Sequence, residues 1–464
     1  MRKLGLLLLL CAGILRLYGQ DITARLDSLV SSAALLRTSE VGITVFNLTK
    51  GEPVYTYQDQ KLYRPASIEK VITSVTALAR LGESYTFDTR VAYTGTIGAD
   101  SILQGNLYVV GGFDPEFMED DLHRLTDAVH RAGINRIKGN LVADVSAMDS
   151  LYWGTGWAWD DTPNAFQPYL SPLMLNRGCV NVSVKPGPKG RRPEVEVFPR
   201  SDYYEIDNRA VSHIPHIKPL EITRDWLYNG NTIHITGNAS RASGRTLNMF
   251  ASQAFFIHTF RYQLMQEHIA VDSMKCGVCP EEATLLYKVS RPLEEVLKRA
   301  LKKSDNLSAE ALFYHLAICG ENKGIGAEDA QKVVKRFMRQ SIGKNPDDYS
   351  IVDGSGVSMY NYVSPDLMLA YLKYAYSHQE IFAPFYEALP VAGVDGTLRY
   401  RMRKEKTFRN VHAKTGTVKG VSSLAGYVQA GNGDMLAFVI INQNVMSGRK
   451  ARLFQDKICE ILAQ

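Results

Sequence analysis

The sequence contains little of what characterises several classes of protein. Its 464 residues carry a net charge of only +5, and three of those charges stand in the first 19 residues, which hold no acid. No block of like charge follows, so the composition gives no electrostatic reason to expect a nucleic-acid partner. Beyond the first segment, no apolar run approaches the roughly 18 residues of a membrane-spanning helix. The 36 glycines and 18 prolines are near average usage, which excludes collagen-like and low-complexity chains.

The first segment has the three parts of an export signal. Two basic residues precede a mostly leucine run at 4–15, and Gly19 provides a small residue before a cut at Gly19–Gln20. We therefore predict a signal peptide over 1–19 and an exported mature chain. A lipoprotein signal at Cys11 is disfavoured, because the residue before this cysteine is not small.

Cysteines are few, and after the predicted cleavage their number is odd. They are Cys179, Cys276, Cys279, Cys319 and Cys459. The Cys276 and Cys279 pair is compatible with a local disulfide, a redox pair or half of a metal site. No second ligand pair stands at zinc spacing, which favours a structural or incidental role. We expect neither a metal nor an organic cofactor.

Hydrophobic periodicity divides the chain into three stretches. An α/β start precedes a β-rich region over about 90–240, and helices and strands alternate after it. The predicted strands outside the β-rich region are Val41–Phe46, Val54–Tyr57, Val411–Lys414, Leu424–Gln429 and Met435–Asn442. The predicted helices are Ser67–Leu81, Thr246–Ile269, Arg291–Lys303, Ala309–Ile318, Ala327–Gln340 and Arg452–Leu462.

A serine and a lysine stand three residues apart at the start of the first clear helix. This spacing puts Ser67 and Lys70 on one helical face. A serine hydroxyl needs a base to become a nucleophile, and a lysine can be that base when burial lowers its pKa. A Ser-x-x-Lys match alone is weak, because on this motif alone a helix N-cap followed by a solvated lysine is the better explanation.

Two further short motifs follow in a fixed order. Ser304-Asp305-Asn306 stands after a predicted helix, where Asp305 is expected to cap backbone N–H groups, and Lys414-Thr415-Gly416-Thr417 stands on a predicted strand. Each has an ordinary structural explanation as a capping turn or an edge-strand charge. Together, in the order Ser-x-x-Lys, Ser-Asp-Asn and Lys-Thr-Gly, they form the motif set of penicillin-interacting serine enzymes.

On these motifs the chain resembles the D-alanyl-D-alanine carboxypeptidase/endopeptidases among the class C low-molecular-mass penicillin-binding proteins, peptidase family S13. The segments 111–115, 156–160, 353–365 and 393–398 also look like family signatures. The resemblance implies an α/β fold with a penicillin-binding, β-lactamase-like catalytic domain, in which helices pack on an antiparallel sheet. The long gap between Lys70 and Ser304 indicates a β-rich insertion. We predict a catalytic domain over 20–89 and 290–464 and an insertion over 90–289, for which the resemblance implies two nested domains.

The expected reaction is acyl transfer from peptidoglycan stem peptides ending in D-Ala-D-Ala, as carboxypeptidase and endopeptidase. Ser67 is the expected nucleophile, Lys70 its base, Ser304 a proton carrier to the leaving amine, and Asn306 a residue that holds the substrate amide. Lys414, Thr415, Gly416 and Thr417 form the expected substrate-binding strand. In it Lys414 keeps the pocket positive, and the two threonines bind the terminal carboxylate. By resemblance, the backbone N–H groups of Ser67 and Thr417 form an oxyanion hole, and β-lactam antibiotics inhibit.

Other functions compete with this one. A β-lactamase shares the acylation step, and a catalytically inactive cell-wall-binding scaffold would keep the fold. We expect an exported protein of the bacterial periplasm or cell envelope with no transmembrane span in the mature chain, whose oligomeric state the sequence leaves unknown. Trp153, Trp157 and Trp159 are expected to anchor the fold rather than bind sugars. His412 is expected on the face of its strand that carries Lys414.

Overall fold

A computed structural model describes residues 22–319 and 323–464 of the chain. The predicted signal peptide lies outside these residues. The described chain divides into two compact units. Unit 1 comprises residues 22–83, 297–316 and 327–464, and unit 2 comprises residues 84–296 together with the described part of 317–326. No helix of the described residues is both long and apolar enough to cross a membrane.

The strands of the described residues are β1 Glu40–Asn47, β2 Glu52–Tyr57, β3 Thr86–Tyr93, β4 Thr96–Ile97, β5 Ile102–Gln104, β6 Leu107–Val110, β7 Arg136–Asp144, β8 Cys179–Lys185, β9 Glu194–Phe198, β10 Ile206–Asn208, β11 Val211–Ser212, β12 Glu221–Arg224, β13 Ile233–Thr236, β14 Asn238–Ala239, β15 Ser243–Asn248, β16 Ala270–Cys276, β17 Thr284–Pro292, β18 His412–Val418, β19 Val421–Gln429 and β20 Met435–Gln443. The α-helices are α1 22–32, α2 Glu69–Leu81, α3 Glu119–Arg131, α4 Ser252–Gln266, α5 Leu293–Lys302, α6 Asn306–Ile318, α7 Ala327–Phe337, α8 Pro365–Ser377, α9 Gln379–Ala388 and α10 Gly448–Leu462.

Unit 1 is built around a five-stranded sheet whose described strands run antiparallel in the order β18-β19-β20-β1-β2. Successive side chains of a strand point to opposite faces, and in β20 both sets are buried, so both faces of the sheet are covered. Leu436, Phe438 and Ile440 of β20 share a core with residues of α1 and α10. Helix α8 contacts β1 and β20.

Helix α2 is buried on nearly every side. Its residues from Glu69 to Leu78 are all buried, including the charged Glu69 and Lys70. A helix enclosed in this way must neutralise or pair its charged groups, because an isolated buried charge costs several kcal/mol. Gly82 ends the helix with a φ of +80°, a conformation that glycine adopts without steric cost.

Unit 2 is the β-rich part of the chain, although two helices also belong to it. The largest sheet of its described residues has seven strands, and its β7 pairs in parallel with β5, β6 and β16. Helix α4 packs on β7 and β16, and α3 packs on β17 and α4. One apolar core joins the helices to the strands, with Leu122 and Phe256 among its buried residues.

The structure corrects several predicted element boundaries. Helix α3 lies inside the stretch that was predicted as β-rich, and α8 and α9 have no counterpart among the predicted helices. The predicted helix Thr246–Ile269 begins too early, because the chain pairs with β8 as a strand up to Asn248 and turns at Ala251 with a φ of +55°. The predicted helix Arg291–Lys303 also begins too early, since Arg291 and Pro292 still pair with β3.

Candidate active site

Ser67 lies on a tight turn that leads into α2. The turn is the 3-10 helix Ala66–Ile68, and neither Ser67 nor any other side chain caps α2, whose N-cap is Ile68. Ala66 has a φ of +51°, in the left-handed region that costs a non-glycine residue about 1 kcal/mol or more. The Ser67 side chain is half-buried. The N-cap explanation for this serine is therefore wrong.

The Lys70 amine reaches three oxygen atoms from its buried position on α2. Its Nζ lies 3.0 Å from Ser67 Oγ, 2.9 Å from Asn306 Oδ1 and 2.7 Å from the carbonyl oxygen of Ser355. The side chain is 0% exposed, so the solvated-lysine explanation is also wrong. A neutral amine has two N–H donors and one lone pair. If it donates to Asn306 and Ser355, its lone pair faces the Ser67 hydroxyl.

Burial tunes Lys70 toward this neutral form. Loss of hydration lowers the pKa of Lys70 to about 8, although the carboxyl groups of Asp353, Glu310, Asp305 and Glu69 oppose the change. At neutral pH a useful fraction of the amine is then unprotonated, which an ordinary lysine does not provide. The arrangement supplies a general base within hydrogen-bond reach of a serine hydroxyl.

The second motif lies between α5 and α6. Asp305 caps α6, because its carboxylate accepts from the backbone N–H and the hydroxyl of Ser308. This capping role was predicted. Asn306 is the first residue of α6 and points its amide oxygen at Lys70. Ser304 has a φ of +57° and accepts a hydrogen bond from Lys414 Nζ at 2.7 Å.

The third motif lies on β18, the edge strand of the unit 1 sheet. Lys414 is 0% exposed and donates to Ser304 Oγ and to the carbonyl oxygen of Thr415, both at 2.7 Å. A Cβ added to Gly416 would lie 2.1 Å from Ser423 Oγ and 3.0 Å from the backbone nitrogen of Ser67. Glycine is therefore required where β18 passes the Ser67 turn.

The free edge of β18 presents backbone N–H groups next to this turn. The Ala413 N–H donates away from β19, to the carbonyl oxygen of Pro390. Because a strand alternates with a period of two, the N–H groups of Thr415 and Thr417 project from the same edge. The Thr415 hydroxyl donates to Thr397 Oγ1 at 2.7 Å, and Thr417 is exposed.

The positive charge of Lys414 is opposed by the surroundings of the side chain. Burial, and then repulsion by Lys70, lower the pKa of Lys414 well below its usual range. An anion that entered the pocket would raise the pKa of Lys414 and favour its charged form.

Sequence reasoning missed a buried carboxyl group close to Lys70. Glu310 of α6 accepts hydrogen bonds from the backbone N–H groups of Ser355 at 2.8 Å and Gly354 at 3.3 Å. Asp353, which the sequence placed at the site only by resemblance, is also buried and accepts from Gly356 and Ser358 N–H groups. The available signal for Glu310 was its position in α6, an otherwise mostly apolar helix, four residues after Asn306.

The remaining candidates lie in other settings. His412 stacks on Tyr386 with ring centroids 4.1 Å apart, and burial lowers its pKa. Trp157 is buried and packs edge-on against Trp153, which fits the expected anchoring role, whereas Trp159 is 66% exposed.

Two further observations concern metals and thiols. Cys276 and Cys279 are free thiols, and within 22–319 and 323–464 no cluster of His, Cys, Asp or Glu could hold a metal ion.

The geometry and the fold together define a class of protein. A half-buried serine in contact with a buried lysine amine, beside an antiparallel sheet flanked by helices, is an arrangement that suits a serine hydrolase working by acyl transfer. The chain belongs to the D-Ala-D-Ala carboxypeptidase 3 (S13) family, whose model matches residues 22–464. This match confirms the predicted family and the predicted D-Ala-D-Ala carboxypeptidase activity, and favours it over the β-lactamase and scaffold alternatives.

Characterised relatives match over most of their length. The D-alanyl-D-alanine carboxypeptidase of Actinomadura sp. (strain R39) is 32% identical over 470 residues, which cover 96% of this chain and 85% of the relative. The D-alanyl-D-alanine carboxypeptidase DacB of Haemophilus influenzae is 28% identical and covers 86% of this chain and 85% of the relative.

Solved structures agree with the fold. The crystal structure of penicillin-binding protein 4 (dacB) from Haemophilus influenzae matches with a TM-score of 0.83 and 26% identity, covering 95% of this chain and 99% of that chain. A structure of the same H. influenzae protein complexed with a β-lactam matches with a TM-score of 0.75 and 24% identity, covering 94% and 98% of the two chains. The predicted fold class is confirmed.

Proposed function

We propose that Ser67 is the nucleophile of this carboxypeptidase and Lys70 its general base. The observation that carries the proposal is the contact of the Lys70 amine with Ser67 Oγ, together with the two acceptors that fix its remaining hydrogens. The Ser67 hydroxyl gives its proton to Lys70 as Oγ bonds to the carbonyl carbon of the penultimate D-Ala. The negative charge that develops on the carbonyl oxygen is stabilised by the backbone N–H groups of Ser67 and Thr417.

The C–N bond then breaks, and the leaving D-Ala amine takes up the proton that Lys70 received from Ser67. We assign this transfer to Ser304. Its hydroxyl contacts Lys414, and the residue stands two positions before Asn306, which contacts Lys70. Water hydrolyses the resulting ester and restores Ser67. Asn306 holds the substrate amide and orients Lys70.

Recognition of the terminal carboxylate is proposed for the β18 strand. Lys414, Thr415 and Thr417 would bind it, and Gly416 allows the strand to pass close to Ser67. A positive charge on Lys414 would attract the terminal carboxylate and favour the neutral form of Lys70.

Several finer properties belong to the same proposal. The natural substrates are peptidoglycan stem peptides, and the enzyme also acts as a DD-endopeptidase when the leaving amine belongs to a neighbouring peptide. β-Lactams acylate Ser67 and inhibit. The protein is exported to the periplasm or cell envelope, in keeping with its basic and apolar first segment. Residues 90–289 form an insertion of two nested domains in a catalytic domain of 20–89 and 290–464.

Intact-mass spectrometry after incubation with benzylpenicillin tests the nucleophile. Wild type should gain one persistent adduct, and Ser67→Ala should gain none. Ser74→Ala is the matched control, because Ser74 lies on α2, fully buried, with no partner for its hydroxyl among the described residues. It should be acylated like wild type. An adduct on Ser67→Ala would refute the assignment, and rapid loss of the drug without an adduct would indicate a β-lactamase. Release of D-Ala from a peptide ending in D-Ala-D-Ala tests the activity itself.

A further inference from the structure

The proposed mechanism gives no role to Glu310, a carboxyl group that is only 2% exposed. Both of its oxygen atoms accept backbone N–H groups, Oε1 from Ser355 at 2.8 Å and Oε2 from Gly354 at 3.3 Å. A buried carboxyl that accepts two N–H groups is a specific anchor, because leaving those groups unpaired would cost about 1–3 kcal/mol each. Glu310 therefore ties the turn at residues 353–356 to helix α6.

This turn carries one of the three oxygen atoms around the Lys70 amine. The carbonyl of Ser355, whose N–H is bound by Glu310, accepts from Lys70 Nζ at 2.7 Å. A second acceptor, Asn306 Oδ1, lies on the same helix as Glu310, four residues earlier and on the same face. Helix α6 thus supports two of the three contacts, one directly and one through the turn.

We propose that Glu310 is a positioning residue that aims the Lys70 lone pair at Ser67 by holding the carbonyl oxygen of Ser355 in place. The proposal rests on the proposed roles of Ser67 and Lys70. A neutral amine that donates to two fixed acceptors has one direction left for its lone pair, which is the direction of the Ser67 hydroxyl. When one acceptor moves, the amine can rotate about its Cε–Nζ bond, and the lone pair no longer points at the Ser67 hydroxyl.

A purely electrostatic role is the main alternative, and the chain provides a control for it. The charged or titratable groups that face Lys70 are Glu69 on its own helix, Asp305 and Glu310 on α6, Asp353 on the turn, and Lys414 on β18. Glu69 is as deeply buried as Glu310, and neither of its oxygen atoms has a hydrogen-bond partner in the described residues. A carboxylate at either position would raise the pKa of Lys70, but only Glu310 holds the turn.

The experiment measures the rate constant of acylation by benzylpenicillin across about pH 6 to 10, per active site counted as mass adduct. In Glu310→Gln the new amide group would face one of the two N–H donors of the turn. We expect the high-pH plateau of this variant to fall about 10- to 100-fold, as displaced catalytic groups do. Glu69→Gln should keep its plateau within about twofold of wild type. An electrostatic role would instead move the pH midpoint in both variants and keep both plateaus.

The following results decide whether Glu310 acts as a positioning residue. A Glu310→Gln plateau within about twofold of wild type, or an equal fall in Glu69→Gln, overturns the proposal. If melting curves show that Glu310→Gln does not fold, Glu310→Asp replaces it. This variant keeps the carboxyl group but withdraws it by one methylene, so a lower plateau supports the positioning role and an unchanged plateau overturns it. Absence of any adduct on wild type would overturn the proposed function first, and this inference with it.

Discussion

The pH dependence of acylation follows directly from the buried position of Lys70. The proposed base Lys70 would act only when neutral, and burial lowers the pKa of Lys70 to about 8. About one amine in ten is then neutral at pH 7 and about one half at pH 8, whereas an ordinary lysine would be neutral in fewer than about one molecule in a thousand at pH 7. We therefore expect the acylation rate to rise about tenfold per pH unit up to pH 7 and to level off above about pH 9.

The direction of this pH dependence follows from the protonation of Lys70. Lowering the pH through about 8 protonates Lys70 and removes the base, so activity must fall on the acid side. The assay is the rate of acylation by benzylpenicillin at low drug concentration, with melting curves over the same range to show that the fold is intact. Lys303→Met removes an exposed lysine beside the second motif and should leave the midpoint unchanged.

Two results would refute the reasoning. A midpoint near 10 would mean that Lys70 behaves as a solvated lysine despite its burial. A rate independent of pH between about 6 and 9 would mean that another group takes the Ser67 proton.

Two other substitutions test the packing around the site and within unit 2. Gly416→Ala should reduce acylation at least about tenfold, because the added Cβ would lie 2.1 Å from Ser423 Oγ and 3.0 Å from the Ser67 nitrogen. The control is Gly448→Ala, whose added Cβ meets only the end of a flexible arginine and which should acylate normally. Equal rates in the two variants would contradict the explanation. Arg224→Met should destabilise unit 2 by about 3 kcal/mol in urea unfolding, because the buried guanidinium donates to the backbone carbonyl of residue 248 and to other buried oxygens. Substitution of the exposed Arg241 by Met should change the free energy of unfolding by less than about 0.5 kcal/mol. A similar loss in both variants would show that the buried hydrogen bonds are not responsible.

The short motifs were sufficient to predict which residues meet, because each has a strict local geometry. Ser67 and Lys70 are one helical turn apart, and Lys414 lies on the edge strand that passes the Ser67 turn. Glu310 was missed because its proposed role depends on a contact with Ser355, some 45 positions away, which no local sequence pattern predicts. The roles assigned to these residues remain predictions.

The missed helix α3 has a different explanation. Its buried residues Leu122, Leu125 and Val129 follow helical spacing, but the short alternating runs around it, punctuated by glycine and proline, led to a β-rich assignment. The early start given to α4 reflects a strand that ends in a turn. Ser243–Asn248 pairs with β8, and the left-handed Ala251 then changes the chain direction before the helix begins.

The pairing of β1 with β20 has a consequence for how the protein is made. Glu40 pairs with Gln443, so two neighbouring strands of the central sheet are separated by about 400 residues of chain. Closing so long a loop costs conformational entropy before any contact repays it, which makes the step slow. During synthesis β1 cannot form this pairing until residues 435–443 have been made, and one of its edges is unpaired meanwhile. The sheet of unit 1 is therefore completed about 400 residues after β1 is made, and its yield depends on what protects the unpaired strand from aggregation.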